Sequence, residues 1–282
     1  MSAAPPPALL LQPLRDVGSW AGHFLRAEIP VLASTAEALE DMRANEEAVD
    51  ANLLGETIAY DPLMTLKVMG YVAAHRSTSR VTDAETVTAA LVLLGITPFF
   101  RVFGPQPTVE ERLGEFPAAL DGLRAVLQRA ERAAKFALGF AVHRMDHDAA
   151  VIHQAALLHD FAEMLLWCHA PALAMEIAQR QHADPTLRSA VVQREVLRIE
   201  LADLQQALMK AWHLPDLLIS LSDDKKAHTP QVRNVLLAIR LARHSARGWD
   251  NAALPDDIND IAHLLNLAPE PTLKLVQELD EV

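Results

Sequence analysis

Imidazoles and carboxylates crowd one stretch of the chain: His143, Asp146, His147, Asp148, His153, and then the adjacent pair His159-Asp160. Such donors suit divalent metals, and an adjacent His-Asp can bridge two ions in a site that activates water for hydrolysis. The other reading needs no metal: His143, His147 and His153 fall at a helix end and in a loop, where polar residues gather, while His159 hydrogen-bonds within the core. Cys168-His169 places a thiol beside a base, but adjacent residues point in different directions on a helix and no third group is indicated to orient the base, which argues against a thiol enzyme. The chain has no Gly-rich phosphate loop, and Met64, Met69 and Trp167 sit in apolar helical stretches as core residues.

The elements that must position these groups are helices. Apolar residues recur at helical spacing at Leu53, Leu54 and Ile58, at Val87, Ala90, Leu91 and Leu94, and at Ile152, Ala155, Ala156 and Leu158. Ser34-Thr35 offers a cap for a helix carrying Ala38, Leu39 and Met42, and Asp61-Pro62 offers a capping carboxylate followed by the preset φ of a first helical position. Gly95 closes the helix begun near Glu85. Longer helices are expected from about Phe116 to Met145, from Ala149 to Leu166 and from Leu187 to Trp212, with three shorter ones after Thr229, one of them starting at Pro255-Asp256-Asp257. The polar stretch Arg76–Thr82 reads as a loop. Residues 104–115, with Pro105, Pro107 and two glycines, break the pattern and form the expected linker. The expected organisation is therefore all-α in two helical subdomains: a tail and short helix over 1–28, a five-helix bundle over 29–103, the linker 104–115, and a second bundle with C-terminal helices over 116–282.

Composition narrows the function classes. The 282 residues supply a core without a metal or disulfide staple, and Cys168, being the only cysteine, cannot form an internal disulfide, which fits the cytoplasm. No apolar run approaches the ~20 residues of a membrane span, and Met1–Pro7 is Pro-rich and uncharged, unlike a secretory signal. A formal net charge of −12 repels phosphate backbones, so neither nucleic acid nor membrane is an expected partner. The clusters Arg124–Lys135 and Arg233–Arg247 read as solvated helix faces.

Leu157-Leu158-His159-Asp160-Phe161-Ala162 resembles the Leu-Leu-His-Asp-Ile-Gly element of the HD superfamily of metal-dependent phosphohydrolases. Further stretches are similar to its HDOD branch: Ile29-Pro30-Val31-Leu32, the Asp61-Pro62-Leu63 helix start, the helix from Ala90 to Gly95, and Trp212-His213-Leu214-Pro215. Together they run in the family's order from Ile29 to Asp224.

The resemblance implies a helical signalling module of bacterial origin, mostly non-catalytic, that binds a partner protein or a small ligand. This chain also departs from the HD hydrolases. Gln128-Arg129-Ala130 offers no histidine where the resemblance places an upstream ligand, Ala162-Glu163 replaces Gly-Lys, Leu201 stands at a histidine position, and the closing histidine pair falls near Ser222-Asp223. His159 and Asp160 alone are too few to hold a metal in a defined geometry. His159, Asp160, Arg129, Glu163 and Leu201 are therefore expected to be structural, with no catalytic residue, metal or cofactor, and His159→Ala is expected to cost stability, on the order of 1–3 kcal/mol, and no turnover. The expected partner is a signalling protein, with self-association left open, and the cleft between the two bundles is the expected binding surface. The alternative is a divalent-metal phosphohydrolase acting on a nucleotide, with His159 and Asp160 as ligands and His143, His147 and His153 close by.

Overall fold

The computed structural model describes residues 9–75, 83–184 and 186–281; the Pro-rich start and the polar loop over 76–82 lie outside the described residues. The chain is all-α, with helices α1 (Val17–Phe24), α2 (Ala33–Ala44), α3 (Ala51–Ile58), α4 (Pro62–Ala74), α5 (Val87–Leu94) and α6 (Ile96–Val102). Then come α7 (Val109–Leu113), α8 (Pro117–His143), α9 (Ala149–Leu157), α10 (Phe161–His169), α11 (Pro171–Ala183) and α12 (Ser189–Leu197). Finally α13 (Leu201–Ala211), α14 (Asp216–Leu221), α15 (Pro230–His244), α16 (Leu254–Leu265) and α17 (Pro269–Glu281) complete the order. Strand-like pairing is limited, among the described residues, to one bridge between Val31 and Thr108.

The chain divides into two compact units, one of residues 1–126 with 160–214, the other of residues 127–159 with 215–282. The expected boundary at 104–115 is not where they part. That segment instead ties itself to the start of α2: Val31 N donates to Pro107 O at 2.9 Å, Val109 N to Val31 O at 2.8 Å, and Ala33 N to the Glu110 carboxylate at 3.0 Å. Its helix α7 is fixed by a capping box between Thr108 and Glu111, which meets free amides that the prolines would leave exposed.

Ser34 and Thr35 do not cap α2. Its first free amides are met from a distance, Leu32 N by Asp61 Oδ2 at 2.8 Å and Ala33 N by Glu110, while the Thr35 hydroxyl bonds to Asp61. Asp61 caps its own helix as expected, Oδ1 accepting from Leu63 N and Met64 N at 2.9 and 3.0 Å, with Pro62 at the first helical position. Gly95 sits at φ +83, ψ 154, between α5 and α6, a region open essentially to glycine alone and costing any other residue about 1–3 kcal/mol.

Two expected helices are broken. A single helix over 149–166 would have to bury Ala155 to Leu158 together with Phe161, Ala162 and Met164 to Leu166, more than one stripe can cover, and the chain turns at Leu158 to start α10 afresh. The stretch 187–212 breaks at Arg198, which adopts the left-handed φ of +66. Leu197 O, freed by the break, accepts the Trp20 indole N–H at 3.2 Å.

In the first unit α10 is buried along its whole length except at Glu163 and packs against α4, α7, α11 and α13. In the second, α9 lies on α14 and α15, and α16 on α15 and α17. Arg132 of α8 holds α17 through both oxygens of Asp280, each at 2.8 Å, and donates to Ser245 Oγ at 2.9 Å. Removing Asp61 tests the first unit's frame. Asp61→Ala is expected to lose on the order of 3 kcal/mol in chemical denaturation, because it strands buried amides of two helices, and Asp61→Asn to lose clearly less, since its Oδ1 still caps α4. Equal losses for the two variants would contradict this.

Candidate functional site

The donors that the metal-dependent alternative would need do not converge. Among the described residues no three His, Cys, Asp or Glu side chains stand together in a group able to hold a metal ion. His143 and His147 are exposed at the end of α8 and in the turn after it; His153 is half-buried on α9, and burial lowers its pKa. His159, with 15% of its side chain exposed, directs Nε2 to Asp224 Oδ1 at 3.1 Å within the second unit. Asp160 belongs to the first unit and starts α10, its carbonyl accepting from Glu163 N and Met164 N at 3.0 and 3.1 Å. Glu163 lies in the first turn of α10, where a negative charge suits the helix dipole. Arg129 is half-buried in α8, and Leu201 is a buried apolar residue at the start of α13. Ser222 closes α14, while Asp223 caps the turn that carries Asp224. An arginine, a leucine and a serine thus stand where the resemblance to HD hydrolases asks for metal ligands, and the residues present do not fit such a metal.

Cys168 and His169 are both buried at the end of α10. Burial pushes the Cys168 thiol up to about 12, so the nucleophilic thiolate is suppressed at neutral pH. His169 is pushed down to about 3, first by burial and then by the Arg112 guanidinium, whose Nη2 donates to His169 Nδ1 at 3.1 Å. Neither the proton acceptor nor the nucleophile of a thiol enzyme is available here.

Of the remaining family-motif residues, Leu214 and Pro215 are buried directly after the left-handed His213. Trp212 is different. Together with Arg26, Glu28, Lys67, Gly70 and Tyr71, all in the first unit, it lines an open pocket of about 240 Å³. The indole leans on the Phe161 ring at 5.8 Å and covers Gly70, where a Cβ would lie 3.7 Å from it. Lys67 Nζ donates to Gln106 Oε1 at 2.6 Å and to Ile29 O at 3.0 Å, with the Glu28 carboxylate at 3.5 Å; burial lowers its pKa against that carboxylate. The pocket did not emerge from the pattern of residues, although one signal was present: Lys67 is the only charge in the otherwise apolar run of α4.

Fold and turn define an all-α chain with a His-Asp turn between α9 and α10. The chain belongs to the HDOD family, whose domain matches residues 29–227. A comparison with curated proteins finds no match. Among solved structures, the chain is similar to the MmoQ response regulator of Methylococcus capsulatus, with 20% identity, a TM-score of 0.68, and coverage of 89% of this chain and 99% of that one. It is also similar to a virulence factor of Campylobacter jejuni, with 15% identity, a TM-score of 0.62, and coverage of 94% and 99%. At these identities the likeness concerns the fold. No helix among the described residues is long and apolar enough to cross a membrane.

The depressed His169 gives a pH dependence whose sign is fixed. Its folded pKa of about 3 lies below the ordinary 6.5, so between those values the unfolded chain binds the proton more readily, and stability falls as pH drops through that window. Urea denaturation at pH 7.5 and 4.5 should show a smaller loss for His169→Gln, whose amide oxygen can still accept from Arg112, than for the natural chain. Identical losses would refute the assignment.

Proposed function

We propose that this chain is a non-catalytic signalling module that acts by binding a partner protein. The observation that carries this reading is the placement of His159: its Nε2 is engaged by Asp224, and Arg129, Leu201 and Ser222 stand where further metal donors would be needed. Membership in the HDOD family supports it, and so does the description of one structural relative as a response regulator. Without a metal-activated water, hydrolysis of a phosphodiester lacks its nucleophile, and what the domain offers instead is a packed helical surface. His159, Asp160, Arg129, Glu163 and Leu201 then serve the fold: three of them flank the turn that lets α9 and α10 each bury a separate face, and Leu201 fills the core at the start of α13.

The test compares the natural chain with His159→Ala for metal content, for manganese-dependent cleavage of cyclic dinucleotides and a generic phosphodiester, and for thermal melting. The expected result is no stoichiometric transition metal and no cleavage by either protein, with the variant destabilised by about 1 kcal/mol, since Asp224 is half exposed and can turn to water. A metal bound one to one in the natural chain and lost with turnover in the variant would overturn the proposal in favour of a phosphohydrolase.

A further inference from the structure

The pocket around Trp212 has the makings of a recognition site, and the inference drawn from it rests on the partner-binding reading above. Tryptophan, tyrosine and arginine are the residue types that dominate the energetic centres of protein interfaces, and here Trp212, Tyr71 and Arg26 border one opening. Its volume of about 240 Å³ falls below the ~300–1,000 Å³ that encloses a drug-sized ligand, and suits one side chain inserted from outside. The indole rests directly on Gly70 of α4, where no side chain intervenes, and Ile29 and Leu66 extend the apolar wall.

Charge specifies what must accompany that side chain. The lining holds two cations, Arg26 and Lys67, and one carboxylate, Glu28, so it carries a net positive charge on a chain whose formal net charge is −12. The two cations are not equivalent. Lys67 is held by Ile29 O and Gln106 and acts as a fixed positive charge in the wall. Among the described residues no ion pair holds the exposed Arg26 guanidinium, which leaves its fork of donors open to a carboxylate.

We propose that this pocket receives a single apolar side chain of a partner protein, Phe, Leu or Trp, flanked in the partner's sequence by an Asp or Glu that pairs with Arg26. The apolar side chain lies against Trp212 and Tyr71. The acidic neighbour supplies register and discrimination, because a basic neighbour there would meet two cations.

Random peptides displayed on phage are selected on the full chain, and the enriched ones are synthesised and titrated against the natural protein and Arg26→Glu, with the Trp212 indole signal followed by NMR. Enriched peptides are expected to carry Asp or Glu within two residues of Phe, Leu or Trp, to shift the Trp212 signal, and to bind Arg26→Glu at least ten-fold more weakly at unchanged melting temperature. The same peptides with Lys in place of the acid should bind Arg26→Glu better than they bind the natural chain. No enrichment, binding insensitive to Arg26→Glu, 3-phenylpropionate binding as tightly as the peptides, or a dimer of this chain that Arg26→Glu dissolves would each overturn the proposal. Peptides binding elsewhere would remove this pocket and leave partner binding standing, whereas metal-dependent turnover would remove the wider reading whatever the peptides do.

Discussion

Asp61 has no exposed surface, and its carboxylate accepts hydrogen bonds from the amides of Leu32, Leu63 and Met64. Burying a carboxylate is costly unless such donors replace its water, and burial raises its pKa even so. That arrangement obliges the start of α4 and the start of α2 to meet at one point. Much else in the first unit follows from the meeting. Once Val31 and Leu32 are fixed there, the 104–110 stretch can pair with Val31 and reach Ala33 through Glu110, and Ile29 O is brought over α4 to receive the Lys67 ammonium. One wall of the Trp212 pocket is therefore a by-product of how two helices are capped.

Where sequence and structure agree, the signal was local. Asp61-Pro62 announces a helix start because capping involves residues two and three positions away, and the left-handed backbone at Gly95 needs only glycine's own freedom. Where they part, the deciding partner is distant. The amides of α2 are satisfied by Asp61 and Glu110, 29 and 77 residues away, so the nearby Ser34 and Thr35 looked like caps and are not. The break at Arg198 carries neither glycine nor proline, and is stabilised instead by Trp20, 177 residues earlier, taking the freed carbonyl. The partner of His159 lies 65 residues on, at Asp224, and nothing in the spacing of either residue discloses it. Pro105 and Pro107 suggested a linker by composition, yet the same prolines lead into a capped helix bound to α2.

The second unit also uses charge to join its helices. Asp257, 1% exposed in its side chain, receives Arg240 Nη2 and His244 Nδ1, each at 2.5 Å, and so joins α15 to α16. Arg132 does the same between α8 and α17. A buried carboxylate with two donors specifies how helices pair better than it stabilises them. Gly139 adds a steric element, since a Cβ there would come within 2.4 Å of Leu279, and α17 approaches α8 only because glycine yields the space.

The first unit is assembled from two separate stretches of chain, 1–126 and 160–214, with part of the second unit encoded between them. On a ribosome the chain emerges from the N-terminus, at roughly 5–20 residues per second. For several seconds after α1 to α7 have appeared, the faces that later receive α10 and α13 have nothing to cover them. Trp20 waits for a carbonyl 177 positions downstream, and α4 and α7 wait for α10. Nascent chains of this protein therefore pass through a period of exposed apolar surface that ends only when Leu214 clears the exit tunnel, a period in which chaperone binding competes with aggregation.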